Sequence, residues 1–115
     1  RAEIAIEYAK SNAAIVSSLY EGFGFPVGEA MACGIPLIAT NVASIPEITK
    51  SYAELIPAKS SEAIVQAIKN IFSNPGQKQS KADEGRMHII ENFDWKKIAK
   101  SYENLMYKTI DEFKC

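Results

Sequence analysis

A chain of 115 residues is one domain's worth, and its 47% hydrophobic, 23% charged composition is that of an ordinary globular protein. A net charge of -1 argues against nucleic acid or a polybasic membrane anchor as partner, and no apolar run approaches the ~20 residues of a membrane span. Two cysteines, Cys33 and Cys115, make no disulfide framework and read as free thiols of a reducing compartment, while a single histidine, His88, excludes multi-histidine zinc sites.

The sequence opens on Arg1 and runs directly into Ala2 to Lys10, where Ile4, Tyr8 and Ala5 share a helical face. This reads as a helix entered without a cap, and as a cut-out or truncated domain. Ala13 to Ser18 is a short apolar run with no period of two, the pattern of a parallel strand buried on both faces. Leu19 to Phe25 is a glycine-bearing loop. Pro26 suits the first turn of a helix running to about Cys33, with Gly34 as its stop. Pro36 to Thr40 reads as a second buried strand, proline being tolerable only at its start. A loop with a short helix near Ile45 to Ile48 follows, then a third strand over Ala53 to Ile56.

From Ser61 the pattern turns helical. Ile64, Val65, Ile68, Ile71 and Phe72 recur at helical spacing until Asn74-Pro75-Gly76 ends the run. A more polar helix spans about Lys78 to Glu91. Trp95, Ile98, Ala99, Tyr102, Leu105, Met106, Ile110 and Phe113 then mark a long amphipathic helix. Strands alternating with helices predict an α/β fold: a Rossmann-like parallel sheet with flanking helices, incomplete at its N-terminal side and ending in helices.

The chemistry concentrates between the first strand and the second helix. Free backbone N–H groups at a helix start, with the positive end of its dipole, suit a phosphate. Gly22 and Gly24 let a backbone approach a ligand closely. Glu21 precedes this cradle and Glu29 follows it one turn into the helix, with seven residues between them. Carboxylates accept hydrogen bonds from sugar hydroxyls, so a phosphate cradle flanked by two of them suits a nucleotide-sugar. The run Gly22-x-Gly24-x-x-x-Gly28 also reads as a relaxed dinucleotide fingerprint. That fingerprint wants an acidic residue about 20 positions on, where this sequence has Thr40-Asn41 and no carboxylate before Glu47.

The segment Glu21-Gly22-Phe23-Gly24-Phe25-Pro26-x-x-Glu29-Ala30-Met31-Ala32-Cys33-Gly34-Ile35-Pro36 resembles the donor-site signature of group 1 (family 4) retaining glycosyltransferases. Asn41 to Ile48, Glu62-Ala63-Ile64, Gly85-Arg86 and Phe93-Asp94-Trp95 match further blocks in the family's order. The resemblance implies a two-domain GT-B enzyme, of which residues 1–115 are part of the C-terminal, nucleotide-sugar-binding half. It implies that Glu21, the catalytic candidate, contacts the transferred sugar. Gly22, Phe23, Gly24 and Phe25 line sugar and diphosphate, and Glu29 holds the ribose hydroxyls. It further implies a nucleotide-diphosphate sugar as donor, no cofactor and no essential metal, in keeping with the lack of an Asp-x-Asp cluster. The setting it implies is cytoplasmic, with peripheral attachment of the full enzyme to the inner membrane face left open. The family's basic pair and its N-terminal acceptor-binding domain lie upstream of the matched region, so these residues alone are expected to be inactive. Where Gly28 stands, the family usually has a bulky apolar residue.

The second reading is a stand-alone nucleotide or nucleotide-sugar binding module without catalysis. Among the other chemistry-bearing residues, Cys33 reads as a buried inert thiol, His88 as a surface histidine, and Trp95 as a packing anchor. Lys96, Lys97 and Lys100 read as a solvated helix face. The last apolar stripe is longer than a small sheet can cover. Its part near Trp95 to Tyr102 is expected to pack on the domain, and Leu105 to Phe113 to lie unpartnered.

Overall fold

Short β-branched runs separated by helices can pair only in parallel, because each crossover carries the chain back to the same end of the sheet. The computed structural model describes residues 2–114; Arg1 and Cys115, with the readings made for them, lie outside. In chain order the elements are α1 (Ala2–Lys10), β1 (Ala14–Val16), α2 (Phe25–Ala32), β2 (Leu37–Thr40), α3 (Ile45–Thr49), β3 (Glu54–Ile56), α4 (Ser61–Ser73), α5 (Pro75–Asn92) and α6 (Trp95–Phe113). The sheet runs β1-β2-β3, all parallel, with Val16 opposite Ala39 and Thr40 opposite Ile56.

Strand alternation sorts the core into two layers. Ala14, Val16, Leu37 and Ala39 face α2, α3 and α5 through Val27, Ala30, Met31, Ile45, Ile48 and Ile89. Ile38 and Ile56 face Ala67 and Ile71 of α4. The α/β class with a flanked parallel sheet is therefore as expected. The first strand departs from expectation. It is three residues long, and Ile15 is 46% exposed rather than buried. Ile15 shares a face with Ile38, to which it is paired, but α4 covers only the β2 and β3 side of that face.

Helix boundaries follow local chemistry. Gly24 caps α2, and Pro26 lies in the helix's first turn. Gly34 takes φ +69° just past its end. Ser60 Oγ accepts from the Ala63 amide at 3.2 Å at the start of α4, and Asp94 accepts from the Lys96 amide at 3.0 Å at the start of α6. Pro75 both closes α4 and opens α5, so the second of these helices starts three residues earlier than the polar pattern suggested. Helix α5 lies against α2 at Gly85, where an added Cβ would meet Tyr52 Cβ at 2.9 Å and Met31 Cε at 3.3 Å.

Helix α6 stands apart. None of its residues is fully buried, and it gives the molecule extents of 61 × 27 × 26 Å. Leu105, Met106, Ile110 and Phe113 are exposed, as expected. Trp95 is 73% exposed and Tyr102 is exposed too, so the expected docking of the near half, with Trp95 as anchor, does not occur. Asp94 caps α6 directly after the last turn of α5, and along α6 only Ile98 is half-buried, Trp95 and Tyr102 lining an open groove instead. No described helix is long and apolar enough to cross a membrane.

Candidate functional site

Ligands of open parallel sheets collect at the carboxyl ends of the strands, where loops rather than side-chain layers end the core. In this chain that edge carries the loop from Ser17 to Gly24. Gly24 is buried with φ +84° and ψ +52°, a left-handed conformation that costs other residues strain. Its carbonyl accepts from the Val27 and Gly28 amides at 3.0 and 3.1 Å, which starts α2. No side chain caps this helix end. Gly22 differs: its φ is not left-handed, and no atom lies within 4 Å of where a Cβ would stand. It leaves open space beside the loop.

Glu21 is half-buried and held from two sides. Ser18 Oγ donates to its Oε1 at 2.7 Å, and Ser44 Oγ, from the turn before α3, donates to its carbonyl at 3.1 Å. Thr40 Oγ1, at the end of β2, donates to the Ser18 carbonyl at 2.5 Å. The hydroxyl at the position where a dinucleotide site wants a carboxylate is thus committed to supporting the loop.

Glu29 lies half-buried on α2 and faces a groove of about 530 Å³ with Phe23, Phe25, Gly28, Ile89, Phe93 and Trp95 along its walls. A second hollow of about 490 Å³ is bounded by Gly22, Phe23, Ser44, Glu47, His88 and Phe93. Phe23 and Phe93 line both. Phe23, Phe25 and Glu29 therefore share one groove, Gly22 opens on the other, and Gly24 lies beneath. Glu21 lines neither and is fixed by its serines. Behind Glu29, burial first, then the charges of Glu29 and Cys33, push the Tyr8 phenol above its ordinary pKa. It therefore remains a donor, reaching 3.5 Å from the Pro26 carbonyl.

The rings at this edge form a row. Phe23 lies 5.1 Å from Phe25 and 5.6 Å from Phe93, the latter edge-on at 66°. Phe93 lies 5.8 Å from His88, and His88 lies 5.3 Å from Tyr52. His88 is not a surface histidine. It is half-buried among aromatic rings, with Nε2 enclosed and unpartnered and Nδ1 3.2 Å from the Asn92 amide nitrogen. Cys33 is half-buried rather than fully buried. Sequence reading assigned no site role to Ser44, Thr40 or Phe93. The first two act across more than 20 residues with no local signal. Phe93 could have been found, because it precedes the Asp94 cap and so must lie at the α5–α6 corner.

The chain matches the family described as "Glycosyl transferases group 1" over residues 1–93. It is 30% identical over 100 residues to an MMP alpha-(1->4)-mannosyltransferase of Mycolicibacterium hassiacum, covering 84% of this chain and 24% of that protein. It is 33% identical over 94 residues to a D-inositol 3-phosphate glycosyltransferase of Rhodococcus jostii, covering 80% and 21%. Among solved structures, sucrose-phosphate synthase from Thermosynechococcus elongatus superposes with TM-score 0.86 at 29% identity, over 96% of this chain and 28% of that one. The Anabaena protein HepE, solved in complex with UDP, shares the fold with TM-score 0.88 at 21% identity, over 94% and 30%. The chain spans about a quarter of the length of the curated relatives it matches. With most of its residues inside the family match and its α/β unit superposing on such an enzyme, the chain belongs to the group 1 glycosyl transferases, as part of their GT-B C-terminal domain.

Proposed function

We propose that these 115 residues form the donor-binding half of a retaining glycosyltransferase that moves a hexosyl-type sugar from a nucleotide-diphosphate donor to an acceptor hydroxyl. The observation that carries this reading is the loop on Gly24. Its left-handed turn starts α2 with uncapped amides, and a carboxylate stands on each side. The UDP held by HepE, a protein of the same fold, supports a nucleoside diphosphate as part of the ligand. The mannosyl- and inositol-phosphate glycosyltransferase relatives support sugar transfer by the whole protein.

In this reading the diphosphate lies over the loop amides and the start of α2, where the helix dipole meets its charge. Glu29 accepts hydrogen bonds from the ribose hydroxyls. Glu21 accepts from hydroxyls of the transferred sugar, its carboxylate oriented by Ser18 and its backbone by Ser44. Electrostatic stabilisation of the leaving diphosphate lowers the barrier most. The amides supply part of it, and the basic pair expected upstream of these residues supplies the rest, with no metal required. The setting is cytoplasmic. The 115 residues alone accordingly bind donor without transferring sugar. Calorimetric titration with UDP and GDP tests the site. Glu29→Ala weakens the better-bound nucleotide by about 1–3 kcal/mol, the size of a lost hydrogen bond to a charged group. An unchanged affinity removes Glu29 from the site, and sugar transfer by the 115-residue chain contradicts the division of labour.

A further inference from the structure

The loop that would hold the donor has few ties of its own. Among the described residues, no backbone–backbone hydrogen bond involves Leu19 to Phe23. Leu19 and Tyr20 are exposed. Side-chain hydroxyls fasten only its first half, through the Ser18 carbonyl and Glu21. Gly22 and Gly24 carry no side chain that could pack; Gly24 is tied to α2 through its carbonyl, which accepts from the Val27 and Gly28 amides, and Gly22 and Phe23 have no backbone tie. Phe23 lies between the two glycines, and its ring contacts are what fastens the stretch from Glu21 to Gly24 from the side.

One of those contacts is internal to the segment, since Phe25 opens α2 and is itself exposed. The other crosses the fold. Phe93 meets Phe23 edge-on at 5.6 Å, a favoured geometry between aromatic rings. Phe93 is well placed to be rigid. Its amide donates to the Ile89 carbonyl at 2.9 Å, closing the last turn of α5. Its ring packs on the larger core cluster and is backed in turn by His88 and Tyr52. The row of rings therefore runs from the α5–α2 contact out to the centre of the loop.

We infer that Phe93 is a positioning residue for the donor: its ring edge on Phe23 holds Gly22 to Gly24 in the conformation that presents the loop amides. Such an edge-on pair stabilises beyond the apolar area it buries. An equilibrium between a held and a released loop is shifted about tenfold by 1.4 kcal/mol. The inference rests on the donor-site reading for what the loop binds, but the ring contact itself is testable without any ligand.

The experiment compares wild type, Phe93→Leu and Phe93→Tyr in the 115-residue chain. Leucine keeps an apolar filler at the corner and removes the ring edge; tyrosine keeps the ring. Backbone ¹⁵N relaxation reads loop order without ligand, with β2 as internal reference for the fold. In Phe93→Leu the order parameters of Gly22 to Gly24 fall from rigid values of ~0.85 toward ~0.6. Those of Leu37 to Thr40 stay unchanged, and UDP or GDP binds about twofold more weakly, the loss that follows when a tenfold shift takes the loop from ~90% to ~50% held. Phe93→Tyr matches wild type in both. A loop that stays rigid in Phe93→Leu overturns the inference. So does a loosened loop with wild-type nucleotide affinity, and so does β2 loosening in step with the loop, which makes Phe93 a core residue only. Failure of wild type to bind either nucleotide overturns the donor-site reading, and the relaxation data then decide the ring contact alone.

Discussion

Gly24, Gly28 and Gly85 face different physical demands. Gly24 serves a left-handed turn, whereas Gly85 and Gly28 lie within helices. Gly85 of α5 is pressed against Tyr52 and Met31, and a methyl there would stand 2.9 Å from Tyr52 Cβ, an atom that cannot swing away. Overpacking of this kind costs about 1–3 kcal/mol, against at most ~1 kcal/mol gained from alanine's helix propensity. Gly85→Ala is therefore destabilising by about 1–2 kcal/mol in urea denaturation. Gly28 has no atom within 4 Å of a built Cβ. Gly28→Ala keeps the propensity gain and stabilises by about 0.5–1 kcal/mol. The pair separates a glycine kept for packing from one whose absence of a side chain leaves the groove wall beside Glu29 open; equal signs would contradict it. Glu54 offers a test by pH. Burial opposes its charge, but hydrogen bonds from Lys78 (2.7 Å) and Asn70 (2.8 Å), with the charges of Lys78 and Lys81, outweigh that and lower its pKa. A carboxyl lowered in the fold adds stability above its unfolded pKa of ~4.3 that is lost as pH falls through the folded value. Its worth is within the ~1 kcal/mol usual for partly exposed pairs. Glu54→Gln removes that part of the acid slope below about pH 4 and leaves the rest; an acid slope identical to wild type would contradict the assignment.

Elements were legible where their signals are local. The contiguous segment from Glu21 to Gly34 announced a loop, a glycine turn, a helix start and a helix stop, and each lies where the residue types placed it. Pro75 and Asp94 likewise carry their own meaning, as a helix opener and a cap. What escaped was placement across the fold. Periodicity shows that Trp95 and Tyr102 share a stripe, but not that both rings stay exposed along an open groove rather than packing into the core. A lone histidine in a polar helix looks solvated, and only the approach of Tyr52 and Phe93 encloses it. The carboxylates at 21 and 29 were visible as types and spacing, whereas Ser44 beneath Glu21 was not, being 23 residues away. Because the distal half of α6 is exposed throughout, removing residues 103–115 should change unfolding free energy by no more than about 0.5 kcal/mol, the usual range for surface changes. A large loss, or loss of cooperative unfolding, would show that this segment supports the domain.

At the scale of the molecule, the two ends of the sheet have different work. The end where strands begin is closed by Pro36, Leu37, Ala53 and the Glu54–Lys78 ion pair, and bounds a hollow of about 280 Å³. The end where strands finish carries the loop, the two serine-held positions around Glu21, and the ring-walled groove at Glu29. The proposal assigns ligand to the second end and stability to the first. The most direct measurement is an amide ¹H–¹⁵N titration of the 115-residue chain with UDP and GDP. At least one nucleotide is expected to move the amides of Glu21 to Phe25 and of Val27 to Glu29 most, while Leu37, Tyr52, Ala53 and Glu54 stay still. No movement with either nucleotide, or movement centred on the Glu54 hollow, would contradict it.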